Sequence, residues 1–207
     1  MFITLEGPEG SGKSSQIRLL AKYLSEKGFA VVQTREPGGT RIGDEIRACV
    51  HSVENQEMTP IAEMLLYSAS RAQLVGELIR PSLDSGKVVL CDRYYDSTIA
   101  YQGYGRGLNL DDLHAITQIA TSGLKPDLTL LLDIDVERGL ARRTGGGLEM
   151  NRLDLEKVGF HQRVRDGYHQ LVAQDKHRWH VIDADQPIDA VQNDLRQVID
   201  KQLKFTA

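Results

Sequence analysis

Cysteine is scarce in this chain of 207 residues: there are two, Cys49 and Cys91, far apart in sequence. That argues against a disulfide-stapled scaffold, and with Cys91 inside an apolar run both are expected to be reduced, packed thiols. His177 and His180 lie close together, but no thiols or further histidines accompany them, so nothing suggests zinc. The apolar fraction is an ordinary 41%, yet no apolar run approaches the length that crosses a bilayer. An excess of basic charge is missing too. The net charge of −4 argues against a broad nucleic-acid footprint. Met1 leads straight into an apolar run, so no signal or transit segment is expected and a cytoplasmic location is. The chain shows no internal repeat, low-complexity tract or linker, and its length fits one domain over residues 1–207.

What is present is a regular alternation. Five short apolar runs, Phe2–Leu5, Ala30–Thr34, Val88–Cys91, Leu128–Ile134 and His180–Ile182, read as buried strands separated by helical stretches. The pattern predicts an α/β fold, a five-stranded parallel sheet flanked by helices on both faces. Its site belongs at the carboxyl ends of the strands.

The first run stops at Gly7, and Gly7-Pro8-Glu9-Gly10-Ser11-Gly12-Lys13-Ser14 fits G-x-x-x-x-G-K-[ST] at every fixed position. Ile17, Leu20, Ala21 and Leu24 then recur at helical spacing. Strand, glycine turn and helix is the setting in which this motif cradles a nucleoside triphosphate. The glycines let backbone N–H groups converge on phosphate oxygens, and the helix adds its positive end. Lys13 supplies a mobile charge for the outer phosphates, and the Ser14 hydroxyl can ligate Mg²⁺. Asp92 closes the third strand in Val88-Val89-Leu90-Cys91-Asp92-Arg93-Tyr94, where an acidic residue resembles a Mg²⁺-water ligand.

Other candidates gather at the same end. Arg35 ends the second strand ahead of Glu36-Pro37-Gly38-Gly39-Thr40, a stiff turn, and is expected in the crevice beside Arg93. Thr59-Pro60 starts a helix that Pro81 is expected to stop. On it, Tyr67 and Arg71 share a face; spacing alone favours a core tyrosine and a solvated arginine over a base-binding pair. Ser97 to Gly103 clusters polar groups, and Tyr104 to Gly107 reads as a turn before a helix beginning near Asn109. Beyond the fourth strand, Arg142 and Arg143 precede Gly145-Gly146-Gly147, and Arg152 follows. A lid over about residues 138–154, hinged at the glycines, is expected to carry arginines to a phosphoryl group.

Taken together, GPEGSGKS, REPGGT at Arg35–Thr40, DRY at Asp92–Tyr94 and Tyr101-Gln102-Gly103 resemble bacterial thymidylate kinases, in order from Met1 to about Asp189. The resemblance implies the P-loop nucleoside monophosphate kinase fold and transfer of the γ-phosphoryl of ATP to dTMP with Mg²⁺. It also implies a homodimer, with no nucleic-acid or membrane partner. By position it implies that Glu9 lies near the sugar 3′-hydroxyl, that Tyr67 stacks on the base and that Arg71 contacts the base edge. Arg35 and Arg93 surround the acceptor phosphate, Thr98 and Gln102 approach the base, and Tyr101 lies beside the deoxyribose 2′ position. Lys13, Arg93 and the lid arginines Arg142, Arg143 and Arg152 would be catalytic. The alternatives are another kinase of the same superfamily and, from a different class, a GTPase switch. Asn151-Arg152-Leu153-Asp154 faintly echoes N-K-x-D, but it does not directly follow an apolar strand and the chain lacks D-x-x-G.

Overall fold

The structure is a computed structural model and describes residues 1–145 and 150–204. Its strands are β1 (Phe2–Glu6), β2 (Val31–Arg35), β3 (Val88–Asp92), β4 (Leu128–Asp133) and β5 (Trp179–Asp183). All pair in parallel, in the order β2-β3-β1-β4-β5. The central β1 has β3 on one side and β4 on the other, with Leu5 opposite Asp92 and Leu130. The chain switches sides at β1, so the crevice beyond its carboxyl end is where a ligand is expected. Burial separates centre from edge. Side chains of β1 and β4 are buried nearly throughout, whereas β2 and β5 keep several residues part-exposed, which corrects the expectation of five buried strands. An edge strand has a neighbour on one side only and is covered less completely.

The helices are α1 (Lys13–Glu26), α2 (Arg41–His51), α3 (Pro60–Leu74), α4 (Arg80–Asp84), α5 (Tyr95–Thr98), α6 (Leu110–Thr121), α7 (Val136–Gly145), α8 (Val158–Gln174) and α9 (Ile188–Lys204). Strand alternation sends side chains to two layers. Ile3, Leu5 and Leu130 meet Leu20 and Leu24 of α1 and Leu195 of α9. Leu131 on the opposite face meets Phe160, Val164 and Tyr168 of α8.

Local signals place most boundaries. Thr59 caps α3 by accepting from the Ala62 N–H, with Pro60 in the first turn, and Asn109 caps α6 through the N–H groups of Asp111 and Asp112. Pro81 does not stop the helix. A π-helical segment, Val75–Ile79, links α3 directly to α4, and the Arg80 N–H reaches back to the Val75 carbonyl. Pro81 falls where the wide register returns to the α one, a place that tolerates a missing N–H and a bulky ring. A second π-helical segment, Ile99–Gly105, extends α5 through Tyr104 and Gly105, the first half of the stretch expected to be a turn.

Candidate active site

The Gly7–Ser14 loop wraps the carboxyl end of β1. Gly10 packs so closely on α7 that a Cβ there would lie 1.9 Å from the Gly139 carbonyl oxygen. Gly12 takes a left-handed φ of 87° as the chain turns into α1. Lys13 is buried, and its ammonium donates to the carbonyls of Gly7 at 3.0 Å and Pro8 at 2.8 Å and to Ser11 Oγ at 3.1 Å. Burial, and then the neighbouring Arg93 cation, lower its pKa to about 8. The Ser14 hydroxyl donates to Asp92 Oδ2 at 2.7 Å, so the last residue of β3 faces the first turn of α1.

Arg93 follows β3 with a left-handed φ of 70°, unusual for a side-chain-bearing residue. That turn aims its guanidinium across the loop, where it donates to the Gly7 carbonyl, Ser97 Oγ, Tyr168 Oη and Glu9 Oε1. Glu9 also accepts from the Tyr101 hydroxyl at 2.9 Å. Burial works against its ionisation, but Arg93 and Lys13 outweigh that and hold its pKa at about 2. Behind them Glu6 accepts from the Tyr94 N–H, Ser97 Oγ and Tyr168 Oη; burial and the Asp96 carboxylate push it up to about 7. Sequence reasoning passed over Glu6, although a carboxylate ending an apolar strand just before Gly7 is a readable signal.

Further along the same cleft Tyr67 and Arg71 are both buried, so the solvated surface arginine expected from spacing is not what the fold builds. Arg71 donates through Nε to Glu36 Oε2 at 2.8 Å and through Nη2 to Thr98 Oγ1 at 3.0 Å. Its Nη1 and the Tyr67 hydroxyl are buried without a hydrogen-bond partner among the described residues. A planar donor with an open N–H group, beside an aromatic ring, suits the edge and face of a nucleobase. Glu36 holds the guanidinium in that attitude, and burial raises its pKa to about 7 against the pull of Arg71. Gln102 donates its amide nitrogen to Glu63 Oε1 at 2.7 Å.

One cavity of about 460 Å³ joins these parts, within the roughly 300–1,000 Å³ common for small-ligand sites. It brings together Glu9, Gly10, Gly12, Lys13, Ser14, Arg35, Asp92 and Arg93 with Tyr67, Arg71, Thr98, Tyr101 and Gln102, and Arg142 and Arg143 also line it. Gly7, Pro8 and Ser11 do not line it but hold Lys13 from behind. Arg35 lines the cavity at its exposed rim, paired with Asp44 at 3.2 Å. Glu36, Arg47 and His51 are lining residues the sequence reading missed. Arg47 and His51 lie four apart on α2, a spacing that puts them on one helix face. Burial and the Arg47 cation lower the His51 pKa to about 4.

The three arginines expected on a lid separate. Arg142 donates to the Ala184 carbonyl and to Asp185, and Arg143 binds both oxygens of Asp154. Arg152 does not line the cavity. It is buried, donating to the Val50 carbonyl and paired with Glu63 of α3. Of the proposed glycine hinge, Gly145 ends α7, while Gly146 and Gly147 lie outside the described residues.

Comparison with known proteins bears on the same residues. A family model described as thymidylate kinase matches residues 5–195. The chain belongs to the thymidylate kinase family. It is 51% identical to a thymidylate kinase of a Roseiflexus species, over 98% of this chain and 95% of that protein. It is 53% identical to one from Geotalea daltonii, over 91% of each. Among solved structures, thymidylate kinase from Ehrlichia chaffeensis superposes with a TM-score of 0.79 at 36% identity, covering 97% of this chain and 98% of that one. The family match spans both the phosphate loop and the Tyr67–Arg71 end of the cavity, and the GTPase alternative falls away with it.

Proposed function

We propose that this chain is a dTMP kinase, transferring the γ-phosphoryl of ATP to dTMP to give dTDP and ADP. Family membership supports the reaction. The observation that carries the assignment onto these residues is the single cavity lined at one end by Lys13 and Ser14 and at the other by Tyr67 and Arg71. A donor phosphate on the loop and an acceptor base at Arg71 place the two reacting phosphates between them, near Arg93, Glu9 and the α7 arginines. Panel assays decide it: ATP or GTP as donor, with dTMP, dUMP, dCMP and dGMP as acceptors. ATP with dTMP is expected to give the highest kcat/KM, and preference for dCMP or dGMP would reassign the acceptor.

The chemistry asks for little proton transfer. A phosphate monoester has its second pKa near ~6, so the acceptor is largely a dianion at neutral pH and needs no strong base. Positioning and charge neutralisation do the rest. Lys13, freed from the Gly7 and Pro8 carbonyls, meets the outer phosphates. Arg93, already oriented by Glu9 and Ser97, meets the acceptor phosphate, with Arg35 at the rim. Arg142 and Arg143, on the lid of about residues 138–154, exchange Asp185 and Asp154 for phosphate oxygens in the transition state. Arg152 we assign to holding the base of the lid through Glu63. Tyr101 and Glu9 border the sugar, and Thr98 and Gln102 face the base with Arg71.

Mg²⁺ fits the donor set. Ser14 and Asp92 offer hard oxygen atoms that already meet at 2.7 Å. No cluster of three or more acidic, histidine or cysteine ligands occurs among the described residues, which suits an ion that keeps its waters and binds phosphate oxygens. It would supply charge neutralisation at the phosphates, with Ser14 as direct ligand and Asp92 through water.

The same reading includes one kinase domain, action in the cytoplasm and a homodimer. Ile61 and Leu65, one turn apart on α3, and Ile119 on α6 are exposed apolar residues suited to a subunit contact. Among the described residues no helix is long and apolar enough to cross a membrane. Light scattering tests the dimer.

A further inference from the structure

Glu63 is fully buried on α3, outside the lining of the cavity, yet it gathers three donors from two distant parts of the chain. Its Oε1 accepts from Gln102 Nε2 at 2.7 Å and Arg106 Nε at 3.2 Å. Its Oε2 accepts from Arg106 Nη2 at 3.1 Å and pairs with Arg152. Burial alone would raise its pKa, but the bonds from Arg106, Gln102 and Arg152 outweigh it, so the group stays an acceptor-only carboxylate. That fixes the one ambiguous side chain in the set. An amide facing a carboxylate must present its nitrogen, so Gln102 has its oxygen left over. Gln102 is buried and lines the cavity, and its Oε1 makes no hydrogen bond among the described residues.

We infer that Glu63 is a positioning residue that turns the Gln102 amide so that its oxygen, an acceptor, is the group offered to the nucleobase. This rests on the proposal that the cavity holds a pyrimidine monophosphate. Thymine and uracil carry a ring N–H between their two carbonyls and can donate to that oxygen. Cytosine has a bare ring nitrogen at the same place, and two lone pairs would then face each other. Glu63 thus makes the site select for the ring N–H, a discrimination separate from any accommodation of the thymine methyl. Its second oxygen holds Arg152, two residues before the Asp154 that grips Arg143. Base recognition and the base of the lid therefore share one anchor.

The test is kcat/KM for dTMP, dUMP and dCMP on wild type, Glu63→Gln and Glu63→Asp. Glu63→Gln removes the reason for the amide to choose one orientation. Glu63→Asp keeps the charge for both arginines but withdraws it from Gln102, and serves if the first variant folds poorly. For both variants dTMP and dUMP are expected to lose about tenfold together, through KM, while dCMP is nearly unchanged, so the dTMP/dCMP ratio collapses. Adding Gln102→Glu to Glu63→Gln restores an acceptor toward the base and should recover the ratio. Equal loss for all three nucleotides would mean a purely structural carboxylate and would overturn the inference, as would an unchanged ratio. The wild-type row stands apart: if wild type itself prefers dCMP, the dTMP kinase reading fails first.

Discussion

Ser14 Oγ and Asp92 Oδ2 meet at 2.7 Å, a contact between the start of α1 and the end of β3 that spans 78 residues of sequence. Each group is an oxygen donor for a hard cation, and parallel pairing of β1 with β3 brings them together by setting Leu5 opposite Asp92. Asp92→Asn keeps the hydrogen bond's geometry and removes the charge. It is expected to lower kcat at least tenfold and to raise the Mg²⁺ concentration needed for half-maximal activity. A Mg²⁺ titration that superposes on wild type would remove Asp92 from the metal shell.

Lys13 makes three hydrogen bonds to the loop, which its proposed role exchanges for phosphate. Charge-assisted bonds of this kind are worth roughly 1.5–3 kcal/mol each, and more where water is excluded. Lys13→Ala should therefore cut kcat by orders of magnitude with circular dichroism unchanged. Near-normal turnover in the folded variant would remove the phosphate loop from the mechanism.

The three arginines proposed for a lid should divide by what they touch now. Arg142 and Arg143 line the cavity on polar partners they can exchange, whereas Arg152 is locked to Glu63 in the interior. Arg142→Ala and Arg143→Ala are expected to lower kcat with little change in the KM for dTMP. Arg152→Ala leaves Glu63 short of a cation and should lower the melting temperature, since breaking a buried pair costs about 3–5 kcal/mol. Thermal melts and initial rates on the three variants check this. A stable Arg152→Ala enzyme with kcat alone reduced would return Arg152 to the transition state.

Those contrasts show what was legible in the sequence. The phosphate loop was, because its geometry is encoded in eight consecutive residues whose strand and helix flank it directly. Arg71 and Arg152 were not, because an arginine is buried only if a carboxylate elsewhere meets it. Glu36 lies 35 residues from Arg71 and Glu63 lies 89 from Arg152. The π-helical segments escaped for another reason. Over five or seven residues, a register of i→i−5 leaves almost the same apolar pattern as an α-helix, and Pro81 then reads as a stop. Arg93 lines the cavity just after β3, yet its left-handed backbone has no signature in a non-glycine residue.

Glu6 predicts a pH dependence of stability. Its native pKa is raised to about 7, against about 4.3 for an unfolded glutamate. Between these values the native state binds more protons than the unfolded chain, so this group's contribution to stability falls as pH rises and levels off above about 7. The full effect is at most about 4 kcal/mol, at ~1.4 kcal/mol per pKa unit. Glu6→Gln does not titrate. The melting temperature of the variant relative to wild type should therefore be more favourable at pH 8 than at pH 5, and a difference independent of pH would show that Glu6 does not titrate in this window.

Arg71 is both a proposed base contact and half of a buried ion pair, and the two roles can be separated. Its Nε and Nη2 are engaged by Glu36 and Thr98, while Nη1 is buried and unpartnered among the described residues. Arg71→Ala should weaken dTMP use strongly but also destabilise the fold, because Glu36 would be left as a lone buried carboxylate. The double variant Glu36→Gln with Arg71→Ala removes that charge as well. It should recover about 1–3 kcal/mol of the lost stability while dTMP use stays low, since no donor reaches the base edge. Tyr67→Ala differs again. Stacking hardly distinguishes one base from another, so kcat/KM should fall alike for dTMP, dUMP and dCMP. Melting temperatures and kcat/KM for the three nucleotides on the three variants decide the matter. If the double variant regained dTMP activity along with stability, Arg71 would serve only to neutralise Glu36, and the base edge would be read by other groups in the cavity.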